Sequence, residues 1–222
     1  MLNTMKTNEQ LQRDVMDELK WDPMVAASEI GVSAKDGVIT LSGYVDSFSK
    51  KYAAEKAAMR VNGVVAVAED IQVRFSKAGR RDDTAIAEAI LNAFKWNTLV
   101  PESKLKVKVE EGWVTLEGAV DWQFEKDAAY KAVRDIAGVR SITNAITLKP
   151  RLEKIDIEKT IRQALHRRAT VNADNIRVRT EGGKVILNGK ANTWNERREV
   201  EKAVWASPGV TDVEDNIAIT AL

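Results

Sequence analysis

The chain has 222 residues, and its 34 Lys+Arg against 33 Asp+Glu leave a formal charge of +1, which argues against a generic electrostatic binder of nucleic acid. It contains no cysteine, which excludes disulfides and thiolate chemistry, and no apolar run approaches the roughly 20 residues of a membrane-spanning helix. The opening MLNTMKTNEQ lacks the apolar core of a secretory signal, so the expected location is cytoplasmic, with peripheral membrane association left open.

A phrase bounded by two glycines occurs three times: GVITLSG at 37–43, GWVTLEG at 112–118 and GKVILNG at 183–189. Each is followed by a helix-like stretch and then a Gly-Val step, at Gly63, Gly138 and Gly209. A shift of 75 positions carries every anchor of the first copy onto the second, and a further 71 carries it onto the third, as with Leu19, Phe94 and Leu165. The difference of four lies between copies, in linkers at 76–83 and 149–154, where Gly79 and Pro150 suit domain junctions. Such a period is too long for a solenoid. The sequence therefore predicts three small domains, 8–75, 83–149 and 154–221. By thirds, residues 1–76 hold 9 basic and 11 acidic groups, 77–149 hold 12 and 11, and 150–222 hold 13 and 11, so no domain is a polycation.

Within one copy the elements follow in a fixed order, clearest in the second. Asp82, Asp83 and Thr84 signal a helix start, and Ile86, Ala89, Ile90, Ala93 and Phe94 recur at helical spacing to give one apolar stripe. Leu105, Val107 and Val109 then alternate with Lys104, Lys106 and Lys108, a half-buried strand with a basic outer face. The turn Glu110, Glu111, Gly112 returns the chain into the glycine phrase. There Val114 and Leu116 should point inward while Trp113 and Thr115 point out, and Gly118 is expected to end the strand. A second helix buries Ala129, Ala132, Val133 and Ile136, with Gly138 expected as its C-terminal cap. A last strand carries Ile142, Ile146 and Leu148. The predicted fold class is α+β: three tandem αββαβ units, each a small mixed three-stranded sheet covered on one face by two helices.

The glycine phrase fails as a phosphate loop, because residues 183–191 carry one residue too many for GxxxxGK and end in Lys190 and Ala191. Together with the alanine-rich second helix and the closing pairs Val67 and Ile71, Ile142 and Ile146, Val213 and Ile217, the phrase resembles the BON domain, a module named for bacterial hyperosmotic-stress and nodulation proteins. Between the closing pairs the family often has Asn, and here Glu69, Asn144 and Asp215 stand there. The resemblance covers the chain from about residue 11 to 219. It implies a non-enzymatic module that binds phospholipid surfaces or other macromolecules, linked by analogy to osmotic or potassium stress.

No catalytic, cofactor or metal site is expected. The only histidine, His166, has no Cys or second His to complete a metal or nucleophile constellation, and the acidic pairs fall at caps and turns. The candidate surfaces are two. Past the first helix, Trp21, Trp96 and Arg167 share one position, about 100° from the centre of the buried stripe. KWDPMVAAS and KWNTLVPES set Trp beside Lys and two apolar residues, a composition suited to a membrane interface, while the third copy substitutes HRRATVNAD. The candidate lipid or partner contacts are Trp21, Met24, Trp96, Leu99, Val100, Arg167 and Arg168. The second surface is the free sheet face, with Lys106, Lys108 and Trp113 on the second copy and Arg177, Arg179 and Lys184 on the third. An indole at 113, where the other copies hold Val38 and Lys184, is expected to be partly buried by another unit or by a second copy of the chain. The expected partner is anionic phospholipid, or alternatively a protein, including further copies of the chain as a homo-oligomer. No nucleic acid and no small-molecule substrate is expected.

Overall fold

An apolar residue every fourth position along Leu11, Val15 and Leu19 puts all three on one stripe, which is buried against the first sheet in helix α1 (Asn8–Trp21). The same register recurs as Ile86, Ile90 and Phe94 in α3 (Asp83–Trp96), and as Ile161 and Leu165 in α5 (Ile157–His166). The computed structural model describes residues 6–76, 81–149, 156–168 and 171–220; half of the first expected linker, with Gly79, and most of the second, with Pro150, lie outside the described residues. Each helix starts on an oxygen acceptor: Thr7 takes the N–H of Gln10, Asp82 that of Ala85 at 2.7 Å, and Asp156 that of Lys159 at 3.0 Å.

Unit one continues with β1 (Ile30–Lys35), β2 (Val38–Val45), α2 (Phe48–Arg60) and β3 (Ala66–Val73). Unit two has β4 (Leu105–Glu110), β5 (Trp113–Val120), α4 (Gln123–Arg134) and β6 (Ser141–Leu148). Unit three has β7 (Ile176–Glu181), β8 (Lys184–Ala191), α6 (Trp194–Trp205) and β9 (Asp212–Ile219). In every unit the glycine phrase forms the central strand, antiparallel to the strand before it and parallel to the strand after the second helix. Three mixed sheets of the expected αββαβ order result.

The hairpins turn tightly because both central residues take a left-handed backbone, Asp36 with Gly37 and Glu111 with Gly112, the geometry that matches strand twist. Asp83 does more than start its helix. Its two carboxylate oxygens accept the N–H groups of Glu111 and Gly112 at 2.8 and 2.9 Å, tying α3 to the hairpin tip, as Asn8 does for Asp36 in unit one.

Two expectations about glycine are corrected. Gly43, Gly118 and Gly189 do not end their strands but sit inside them, at φ between 129° and 147°. A Cβ there would collide with the backbone carbonyl oxygens of Glu29, Lys104 and Asn175, where the preceding loop crosses the strand. Gly138 is not the helix cap either. Helix α4 stops at Arg134 with Asp135 as its cap, and Gly138 lies in the turn that follows, while Ile136 still packs on the core.

The units meet through their second helices. Buried Ala54, Ala57 and Ala58 in α2, Ala129 and Val133 in α4, and Val200, Ala203 and Val204 in α6 face their own sheets. The opposite stripe of each helix faces the other units. Tyr52 packs on Tyr130 with ring centroids 6.2 Å apart, the Arg134 guanidinium lies 4.9 Å from the Tyr52 centroid, and Phe48 of α2 joins the core of unit two.

The close approach at Gly118 sets a test. Gly118→Ala is expected to destabilise the protein by about 2–4 kcal/mol in urea unfolding, because the backbone must move. Gly182→Ala, with φ 61° and no atom within 4 Å of the added carbon, should cost only about 1 kcal/mol.

Candidate functional site

The two tryptophan segments fold alike, for a reason visible in the residue after each Trp. Asp22 and Asn97 each accept, through a side-chain oxygen, the N–H two residues on, Met24 and Leu99, both at 3.1 Å. Their carbonyls accept Val25 and Val100 at 3.0 and 2.9 Å. The chain thus reverses in one tight turn at the end of α1 and again at the end of α3. Trp21 and Trp96 are each 84% exposed on these turns, with Met24 at 54% and Leu99 at 55% beside them. Lys20 and Lys95 are exposed next to the indoles.

Val100 does not belong to this surface. The same reversal that throws Leu99 outward turns Val100 under, where it is buried in the unit-two core, as is Val171 in unit three. The loop is therefore pinned by its valine and displays its Trp and the residue three places on. In unit one a second clamp holds it: Arg60 of α2 reaches Glu18 at 2.7 Å and Asp22 at 2.9 Å. The Arg60 hydrogen bond draws the Asp22 carboxyl below the usual carboxylate range, against a smaller opposing effect of burial.

Unit three lacks the anchor. Arg167 is exposed at the matching position, and Arg168, half-buried, pairs with Glu199 of α6 at 2.8 Å. Nearby, buried Glu196 accepts the N–H groups of Asn172 and Asn192 at 2.9 and 2.8 Å, fastening the loop after α5 to the start of α6.

On the sheet faces Lys106, Lys108, Arg177 and Arg179 are exposed and Lys184 is half-buried, all pointing away from the cores. The face is less basic than its lysines suggest. Lys108 pairs with Glu110 at 2.9 Å, Lys184 pairs with Glu214 at 2.6 Å, and Lys106 lies opposite Glu117 in the ladder. Trp113 is 59% exposed on the outer face of its sheet, so most of its surface is available to a partner.

Sequence reasoning missed one feature, a cavity of about 720 Å³ between α2, α4 and α6. Its signal was present: Lys56, Lys131 and Lys202 occupy the same position in the three copies, on the stripe that the cores do not use. Among the described residues no group of three or more His, Cys, Asp or Glu could hold a metal ion. No helix among them is long and apolar enough to cross a membrane.

The sequence model of the BON domain family matches the chain three times, over residues 7–74, 82–150 and 155–221. The chain is 33% identical over 129 residues to the Osmotically-inducible protein Y of Escherichia coli (strain K12), a match that covers 56% of this chain and 64% of that relative, a little short of two thirds. Two solved structures of CdsD, a structural protein of the Type III secretion system of Chlamydia trachomatis, are also similar. The structure of its C-terminal domain is 13% identical and covers 97% of this chain and 100% of that one; the other is 14% identical and covers 94% and 91%. Both have a TM-score of 0.27, too low to carry an argument.

The Arg60 clamp predicts a pH response of the first turn. A depressed Asp22 contributes stability above its unfolded pKa and loses it as pH falls through the folded value, so Trp21 should become more mobile by fluorescence anisotropy below about pH 4. Arg60→Ala should give that mobility at pH 7 and remove the pH step; an unchanged step in the variant would exclude the clamp as its source.

Proposed function

The chain belongs to the BON domain family, with three domains in tandem, and from that premise we propose that it is a non-enzymatic binding protein that docks peripherally on anionic phospholipid through the turns at Trp21 and Trp96. The observation that carries this reading is the exposure of the two indoles, 84% each, on turns fixed by side-chain hydrogen bonds. Leaving an indole in water forgoes burial of a large apolar ring, and a headgroup region accepts such a ring while its N–H stays hydrated. Met24 and Leu99 extend the apolar tip, and a lysine near an anionic surface adds about 1 kcal/mol. The turns are already ordered, so little conformational entropy is lost on docking. The reading requires an anionic surface and no particular compartment. The Escherichia coli relative is described as osmotically inducible, and we extend a stress-associated role to this chain by that analogy.

One observation favours a second reading. Trp113, 59% exposed on the outer face of β5, sits where an ordinary solvated strand has no use for an indole, and it suits self-association or scaffolding of a protein partner. Co-sedimentation with vesicles, run beside light scattering for mass, separates the two.

Trp96→Ala is expected to weaken binding to anionic vesicles by several-fold while leaving the thermal transition unchanged, and Trp21→Ala with Trp96→Ala to reduce it to near the level of neutral vesicles. Raising ionic strength from about 0.05 to about 0.5 M should weaken binding further, since screening shortens the reach of Lys20 and Lys95. If the wild-type chain ignores anionic vesicles and scatters as an oligomer, the lipid reading is lost and the scaffold reading stands.

A further inference from the structure

We propose that the cavity between α2, α4 and α6 is a binding site for a small amphipathic organic anion, with its acidic head at Lys56, Lys131 and Lys202 and its apolar body against the aromatic rings of the wall. The site is assembled by the pseudo-repeat. Each second helix turns one stripe to its own sheet and the opposite stripe to the other units, so three equivalent positions converge on one space. Around the lysines that stripe diverges freely, as at Tyr52, Asp127 and Arg198, whereas the lysine is kept in all three copies.

Charge selects the sign of the ligand. Five cationic side chains line the cavity, the three lysines with Arg134 and Arg198, against two carboxylates, Asp127 and Glu201, a formal excess of three positive charges. Several of these groups already have partners. Lys56 lies 3.7 Å from Glu55, Lys202 is 2.7 Å from Glu199, Arg134 is 3.0 Å from Asp135, and Glu201 accepts the indole N–H of Trp205 at 3.3 Å. Among the described residues Lys131 and Arg198 are the two lining cations that make no ion pair. Asp127 accepts a hydrogen bond from the Gln123 amide at 2.8 Å, and burial raises its carboxyl above the ordinary range.

The walls select the body. Trp122 and Phe124 stack with centroids 6.2 Å apart, and Tyr52, Tyr130 and Trp205 complete an aromatic lining. Burial pushes the Tyr130 hydroxyl up to about 12, so it remains a neutral donor at physiological pH. Among the described residues, the buried amide oxygen of Gln123 at the same wall has no hydrogen-bond partner. A volume near 720 Å³ suits a molecule of drug-like size, and apolar walls with a few convergent polar groups are the usual composition of such sites.

The probe is 8-anilinonaphthalene-1-sulfonate, titrated into the full chain by fluorescence, beside N-phenyl-1-naphthylamine, which has the same rings without the charge. Saturable binding of one sulfonate per chain is expected, weakened about tenfold or more by the triple variant K56A/K131A/K202A and kept within about twofold by K56R/K131R/K202R. The uncharged probe should respond alike to all three proteins. The double variant W21A/W96A should bind the sulfonate as the wild type does, which separates the cavity from the tryptophan turns. Should the alanine variant fail to fold, amide exchange of the wild type decides the matter: added sulfonate should slow exchange in α2, α4 and α6. Unsaturable binding, a folded alanine variant with undiminished affinity, or protection confined to the tryptophan turns would overturn the proposal.

Discussion

Everything above the level of a single unit depends on the second helix having two faces. A three-stranded sheet of about 22 residues cannot bury both faces in so short a chain, and one face is covered by two helices. The first helix spends its whole apolar stripe there. The second helix fills its half of that cover with small residues, Ala54, Ala57 and Ala58 in unit one, and lets the backbone approach the sheet closely. What is left is an outer stripe of rings and long cationic chains, and these meet the other units. Tyr52 against Tyr130, with Arg134 over the same ring, is the clearest of these contacts.

The tryptophan turns follow from the other helix. Its stripe ends at Leu19 or Phe94, and the next residues continue around the helix by about 100° each, so Trp21 and Trp96 leave the core whatever their hydrophobicity. Asp22 and Asn97 then fix the reversal, and Val25 or Val100 pins the far side. An apolar tip is held out by a hydrogen-bonded support. Unit three retains the reversal's buried valine, Val171, and replaces the indole with Arg167, so the three copies share a scaffold and differ in what they display.

Much of this was legible in the sequence. The triplicate glycine phrase with its constant offsets gave the unit, the order of elements and the family, because each anchor recurs under the same local physics. The inward facing of Val114 and Leu116 and the outward facing of Trp113 follow from a period of two, and both are as expected. Val100 was misread because composition alone cannot say which of two adjacent apolar residues a turn will bury; the Asn97 hydrogen bonds decide it. Gly118 was misread because its reason is a carbonyl from another segment, a contact with no local signature. The ion pair of Arg168 with Glu199 of α6 is hidden for the same cause. The central cavity was missed although its lysines align, because position within a repeat does not tell which stripe meets a neighbour.

In the proposed docking the two turns, and not the sheet faces or the helix junction, touch the lipid. The most direct test of this is quenching by brominated phospholipid, with bromine placed near the headgroup, of variants that each retain one of the six tryptophans. Strong quenching of Trp21 and Trp96 is expected in anionic vesicles, and none of Trp113, Trp194 or Trp205. Quenching of Trp113 with Trp21 and Trp96 left bright would contradict it.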